Sequence, residues 1–166
     1  MLVAANLFGG IGVAAGISAG GLLAANVAGV SWAGFAQAAS TLGAAIAAVP
    51  LARMATTRGR RRSLSQGYAM AGAGAVIVVV GALLGHLLVL LPGMALFGIA
   101  QATNLQTRYA AAENVPLASR ARAMSLVLWA TTIGSVAGPN MLAPGADVAD
   151  AVDLPALSGP FLFSVI

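Results

Sequence analysis

The sequence predicts an all-α fold, a polytopic bundle of helices that cross a membrane, on three observations. Of 166 residues, 60% are hydrophobic and only 7% are charged, whereas soluble domains carry about 25% charged residues. The mean hydropathy is +0.94. The eight basic and four acidic residues stand in short groups between long uncharged stretches. Together these features exclude a water-soluble globular domain.

The composition also excludes several classes of function. Cysteine is absent, and there is one histidine, so disulfides, thiolate metal sites and cysteine nucleophiles are excluded. We therefore expect no enzymatic activity, no cofactor and no metal site. All eight basic residues are arginines at the edges of apolar stretches. The net charge of +4 thus indicates membrane topology rather than nucleic-acid binding.

The uncharged stretches divide into membrane-spanning lengths. Crossing about 30 Å of hydrocarbon takes roughly 20 helical residues, and this length predicts five complete helices and the start of a sixth. The first lacks the basic start of a signal peptide and is interpreted as a retained helix. The predicted helices cover about residues 2–25, 32–52, 66–84, 87–107, 121–142 and 155–166.

The third and fourth helices share one apolar run that needs a break. Gly85-His86 combines a turn-forming residue with the one polar residue of the run, so we place the break there. The alternative, Leu91-Pro92-Gly93, leaves the second span too short before Arg108.

The signs of the charges alternate along the predicted loops. All eight arginines fall in the second and fourth loops, and the fifth loop holds Asp147, Asp150 and Asp153. Because cytoplasmic loops collect basic residues, we expect a cytoplasmic N-terminus and a multi-pass protein of the cell membrane, such as a bacterial inner membrane. The lipid bilayer is then the first partner.

Small residues are abundant in the predicted spans. Gly12, Gly16 and Gly20 repeat on one face of the first helix, which predicts close packing against a neighbour. A sliding interface and ordinary small-residue packing both fit this pattern.

A short internal echo links the second and fifth helices. Ser40-Thr41-Leu42-Gly43 resembles Thr131-Thr132-Ile133-Gly134, and each segment lies in the second helix of a set of three. Inverted repeats of three helices occur in transporters, although four residues carry little weight alone.

The second loop resembles the signature loop of a known family. It reads A-R-M-A-T-T-R-G-R-R-R-S-L over residues 52–64 and is similar to G-x-L-A-D-R-x-G-R-R-x-x-L of the major facilitator superfamily. Gly59, Arg60, Arg61 and Leu64 match, whereas Thr56 replaces the aspartate. The loop also follows the second helix, as it does in that family.

Two later segments resemble the same family. Arg108 and Glu113 followed by Arg120 look like its fourth loop, and Gly134-Ser-Val-Ala-Gly138-Pro139 resembles its G-x-x-x-G-P motif. The resemblance implies a fragment of the N-terminal half of a transporter, with a missing C-terminal half, that moves a small solute by alternating access as a permease or efflux protein. Protons are a candidate coupling ion, although Met94 stands where drug antiporters of the family have an arginine.

The resemblance assigns hypothetical roles to these motifs. Arg60 or Arg61 would pair with Glu113 as a conformational latch, with Arg120 in the same loop system; alternatively the arginines only set topology and bind anionic headgroups. Gly134, Gly138 and Pro139 would form a hinge in the fifth helix, or an ordinary proline kink.

Polar residues near the middle of the spans are candidates for a substrate cavity. Their uncharged side chains favour a neutral or amphipathic solute, and hydrogen bonding between helices is the alternative role. The candidates are Gln37, Thr41, Gln101, Trp129 and Thr132. The competing interpretation of the chain is a membrane structural or assembly subunit without a solute path.

Overall fold

The computed structural model describes residues 2–113 and 115–165, without the side chains of residues 2–5, 8, 112, 113 and 163–165. This part of the chain forms seven α-helices, a short 3₁₀ turn at Ala156–Ser158 and no strand. The helices are α1 (Leu2–Ala28), α2 (Ser31–Thr57), α3 (Arg60–Leu84), α4 (Leu87–Glu113), α5 (Leu117–Asn140), α6 (Leu142–Asp150) and α7 (Gly159–Val165).

The helices are long and apolar enough for a polytopic membrane protein. The segment Gly9–Ala28 of α1, the whole of α2 and α3, and the segment Leu87–Ala111 of α4 are each long and apolar enough to cross a membrane. α5 and α6 together give a fifth candidate span. Large apolar side chains cover the outside of the bundle; Leu88, for example, is 87% exposed. The predicted all-α bundle of membrane-spanning helices is confirmed.

The helices extend beyond the ends that the charges suggested. Only Arg58 and Gly59 separate α2 from α3, and Arg60, Arg61 and Arg62 form the first turn of α3. Gly59 has φ of +89°, a conformation that glycine adopts at no steric cost. Arginine is a good helix former, so the basic segment continues both helices where the sequence analysis placed a loop.

The α3–α4 hairpin turns at Gly85 and His86, where the sequence analysis put the break. Gly85 has φ of +62°, and the amide of His86 donates to the carbonyl of Gly81 at 3.1 Å. This is the pattern of a glycine-terminated helix. A Cβ at Gly81 would lie 2.8 Å from the nitrogen of Leu90, so the two helices pack backbone to backbone.

The end of the described chain differs from the predicted loop and sixth helix. α6 continues α5 after a bend of 53°, so Asp147 and Asp150 lie on a helix and not in a loop. Pro144 falls in the first turn of α6, where helical N–H groups have no partner within the helix. α7 begins only at Gly159, after the 3₁₀ turn.

The core lies between α1, α3, α4 and α7. Phe97 and Phe161 are fully buried and pack edge to face, with ring centroids 5.1 Å apart. Gly16 and Gly20 of α1 leave the space that the side chains of Phe97 and Met94 fill. The predicted close packing on this face therefore exists, and its partner is α4.

Two helix crossings are built alike. In the first crossing, Gly43 of α2 lies against the carbonyl of Ala95 on α4. Three residues after Ala95, Gly98 lies against the carbonyl of Ser40 on α2. In the second crossing, Gly134 of α5 lies against the carbonyl of Leu7 on α1. Three residues after Leu7, Gly10 lies against Thr131 on α5. The segments 40–43 and 131–134 of the internal echo thus occupy equivalent positions.

Candidate substrate cavity

A cavity of about 750 Å³ lies between α2 and α4. It begins beside the Gly43–Gly98 crossing, where Thr41 and Gln101 line it, and extends to Arg60 at the arginine-rich end of the bundle. Its walls are mostly small apolar residues with polar groups between them. The lining residues are Thr41, Ala44, Ala45, Ala48, Ala52, Ala55, Thr56, Arg60, Gln101, Ala102, Leu105, Gln106 and Tyr109.

The polar groups of this cavity are held by short contacts. The Gln101 side-chain amide donates to the hydroxyl of buried Ser40 at 2.9 Å. The Thr41 hydroxyl donates to the carbonyl of Gln37 in its own helix. Gln106 Oε1 lies 3.3 Å from the hydroxyl of Ser63. The Gln101 carboxamide oxygen is not needed for the Ser40 bond and is a candidate acceptor for a solute.

Three polar lining residues were missed from the sequence: Gln106, Tyr109 and Thr56. They lie close to the predicted membrane face, whereas the sequence analysis expects substrate contacts near the middle of each span. Arg60, assigned to the latch, also lines the cavity. The cavity therefore has one basic residue at its end, in contrast to the uncharged pocket that the sequence analysis expected.

The candidates on α5 line a second, smaller cavity of about 440 Å³. Trp129 and Thr132 lie on its wall with Ser125, and all of its lining residues belong to α5. Trp129 is 66% exposed, and the Thr132 hydroxyl donates to the carbonyl of Leu128 within the helix. This cavity is an open recess on one helix face.

Gln37 lines neither cavity. Its amide donates to the carbonyl of Ile17 on α1 at 3.0 Å. This is the interhelical hydrogen bond that the sequence analysis kept as the alternative role for the polar candidates.

The residues of the predicted latch lie near the ends of three helices. Arg61 is exposed on α3, and Glu113 is the last residue of α4, with its side chain outside the described part. Arg120 is exposed on α5, and its Nε donates to the carbonyl of Val115 at 3.5 Å. The pairing of Arg60 or Arg61 with Glu113 stays a prediction.

The glycines of the G-x-x-x-G-P segment face α1. A Cβ at Gly134 would lie 2.9 Å from the carbonyl carbon of Gly10, and one at Gly138 would lie 2.8 Å from the nitrogen of Ala15. α5 continues through Pro139 to Asn140, and the chain bends at the next residue. Both glycines are thus packing positions, and Pro139 directly precedes the bend.

A buried polar network joins four helices and was also missed. The Asn6 amide of α1 contacts Thr107 of α4 and Thr131 of α5, and the Tyr68 hydroxyl of α3 donates to Asn104 of α4. One signal was available in the sequence, because Asn6 is an amide inside an otherwise apolar span. Its partners are over 100 positions away and leave no local pattern.

Comparison with known proteins finds similarity along almost the whole chain. Two relatives are the uncharacterized MFS-type transporters YddS and YdeG of Bacillus subtilis (strain 168). YddS is 37% identical over 165 residues, or 99% of this chain, and YdeG is 37% identical over 160 residues, or 96%. The chain spans only 38% and 37% of the lengths of these relatives. No family model and no solved structure matches the chain.

Proposed function

Because this similarity confirms the resemblance to the major facilitator superfamily, we propose that the chain is the N-terminal part of a secondary transporter that moves a small solute by alternating access. The observation that carries the proposal is the cavity between α2 and α4, two helices that are each apolar and long enough to span a membrane. A structural or assembly subunit has no need of a polar-lined space between two membrane-spanning helices.

The size and lining of the cavity favour a neutral or amphipathic solute. Its volume of about 750 Å³ lies within the range of small-molecule pockets. The Gln101 amide and Thr41 hydroxyl would orient polar atoms of the solute, while the alanines accept its apolar part. Arg60 lines the end of the cavity and places a positive charge there.

A transport cavity needs a second wall. Both relatives are more than twice as long as the chain, and we propose that the rest of a full-length transporter faces α2, α4 and α5. The exposed recess with Trp129 and Thr132 on α5 would then belong to the same solute path. This arrangement is compatible with a permease that takes up the solute and with an efflux protein, each with protons as the coupling ion.

The membrane orientation follows from the arginines. The basic turn between α2 and α3 and the segment between α4 and α5 would lie in the cytoplasm, with the N-terminus, in a cell membrane. The competing function, a structural or assembly subunit, predicts that lipid or protein fills the space between α2 and α4.

Water access to the cavity distinguishes these functions. The chain has no cysteine, so Thr41→Cys and Gln101→Cys each introduce a single thiol into the cavity. Val80→Cys, on the exposed apolar surface of α3, is the matched control. We expect a water-soluble maleimide to modify both cavity thiols in lipid nanodiscs and to leave the control unmodified. Cavity thiols as inert as the control would reject a solute path between α2 and α4.

A further inference from the structure

Both the nitrogen and the oxygen of the Asn6 side-chain amide form hydrogen bonds, and these bonds join three helices. Its side chain is fully buried. Nδ2 donates to the carbonyl of Val127 at 3.2 Å and to the hydroxyl of Thr131 at 2.7 Å, both on α5. Oδ1 accepts from the hydroxyl of Thr107 on α4 at 2.7 Å. Because a buried amide that lacks a partner is costly, these bonds fix the relative positions of α1, α4 and α5.

The bond to Thr107 differs from the two bonds to α5. The Thr107 hydroxyl has two acceptors at the same distance, Asn6 Oδ1 and the carbonyl of Asn104, each at 2.7 Å. A hydroxyl has one proton and donates to one acceptor at a time. Thr107 can therefore release Asn6 and still donate within its own helix, while Asn6 keeps both bonds to α5.

The packing around Asn6 has the same asymmetry. α1 and α5 touch backbone to backbone, because a Cβ at Gly134 would lie 3.0 Å from the carbonyl oxygen of Leu7. α1 and α4 meet instead through side chains, with Phe97 and Met94 filling the space at Gly16 and Gly20. Side-chain contacts separate more readily than a backbone crossing does, so α1 and α4 can part more readily than α1 and α5.

We propose that the Thr107–Asn6 hydrogen bond is a releasable contact that fastens the arginine-rich end of α4 to α1. In the packed state Thr107 donates to Asn6. When this end of the bundle opens, Thr107 donates to Asn104 and water reaches the Asn6 oxygen. The inference rests on the proposed transport function, in which that end must open and close, and both residues act by positioning helices.

A single thiol near the contact tests the proposal. Ala110 is buried one turn beyond Thr107, and Ala110→Cys in the full chain, held in lipid nanodiscs, reports opening through its rate of modification by a water-soluble maleimide. Thr107→Val leaves the Asn6 oxygen without its donor in the packed state only. We expect it to raise the modification rate about tenfold, and Thr107→Ser to restore the original rate.

Thr103→Val is the matched control. Thr103 is equally buried, one turn earlier on α4, and among the described residues its hydroxyl donates only to the carbonyl of Ile99 in the same helix. This variant should leave the modification rate of the Ala110→Cys reporter unchanged. Equal acceleration by Thr107→Val and Thr103→Val would overturn the proposal, because both would then act through lost packing.

Asn6→Leu removes the acceptor of the same bond, so in that background Thr107→Val should no longer change the modification rate. In Asn6→Leu, Thr107 and Thr131 keep bonds to Asn104 and Val127 in their own helices. Equal modification rates in Asn6→Leu and Asn6→Leu/Thr107→Val support the proposal, and a further acceleration of about tenfold by Thr107→Val in that background contradicts it. If Asn6→Leu does not fold, the three threonine variants decide.

This experiment is independent of transport. Maleimide modification needs no substrate. If the chain opens as described but the full-length protein moves no solute, the proposed function alone is rejected. Normal solute transport with unchanged modification in Thr107→Val would reject the releasable contact alone.

Discussion

The backbone carbonyl of Ala95 lies directly against the α-carbon of Gly43, so α2 and α4 touch without any side chain between them. The reciprocal contact joins the carbonyl of Ser40 to Gly98. These contacts fix the point from which α2 and α4 diverge, and the cavity opens beside it. Its shape therefore depends on the absence of a Cβ at two positions.

Gly43→Ala should destabilise the bundle, because the new methyl group overlaps the Ala95 carbonyl and forces α2 and α4 apart. We expect a loss of about 1–3 kcal/mol in the free energy of unfolding, measured by denaturant titration in detergent micelles. Gly34→Ala on the same helix, where a Cβ meets nothing within 4 Å, is the control. Equal stability of the two variants would disprove the close contact.

Gly134→Ala tests whether the α1–α5 crossing is equivalent to the α2–α4 crossing. A Cβ there would lie 2.9 Å from the backbone of Gly10, so we expect a loss similar to that of Gly43→Ala in the same titration. Ser135→Ala, at an exposed neighbouring position whose hydroxyl bonds within α5, should change stability little. A neutral Gly134→Ala would show that the internal echo has no structural counterpart.

Ser40 and Gln101 should be energetically coupled across the crossing. Ser40→Ala and Gln101→Leu each remove one end of their hydrogen bond, and such bonds between membrane helices contribute about 0.6 kcal/mol on average. A double-mutant cycle of unfolding free energies should return a coupling of that order. Strictly additive losses would mean that the two side chains are not bonded in the membrane.

The latch hypothesis predicts a specific charge rescue. Glu113→Arg should reduce solute transport by a full-length protein that carries this sequence, and adding Arg61→Glu should restore it, because an exposed ion pair contributes up to about 1 kcal/mol. Arg62→Glu, exposed on the next position, is the control for net charge. If neither Arg61→Glu nor Arg62→Glu restores transport, or if both restore it equally, the latch is rejected. The arginines would then only set the topology and bind lipid headgroups.

The sequence predicted those features that depend on local chemistry. Uncharged lengths identify membrane spans, and a glycine beside the polar His86 marks the α3–α4 turn, where the structure has it. Helix ends were less accurate, because charges mark the membrane face and arginine continues a helix beyond it, as Arg60 does in α3. The sequence does not predict α6, because closely spaced aspartates after an apolar span are typical of a loop.

The candidate site was harder to predict because it depends on contacts between distant residues. Thr41 and Gln101 line one cavity since α2 and α4 cross at glycines, whereas Gln37, only one turn from Thr41, bonds to α1 instead. In the sequence, Gln37, Thr41 and Gln101 are all uncharged polar residues near the middle of a predicted span. Only the direction of each side chain separates them, and neighbouring helices determine that direction.

We expect this chain to cross a lipid bilayer repeatedly, with its arginine turns on the cytoplasmic side and its aspartates on the other. Arg58→Cys and Asp150→Cys, made separately at exposed positions, give single thiols in the two regions. An impermeant maleimide should label Arg58→Cys only in inside-out vesicles and Asp150→Cys only in right-side-out vesicles. Labelling of both thiols from the same side would contradict this topology.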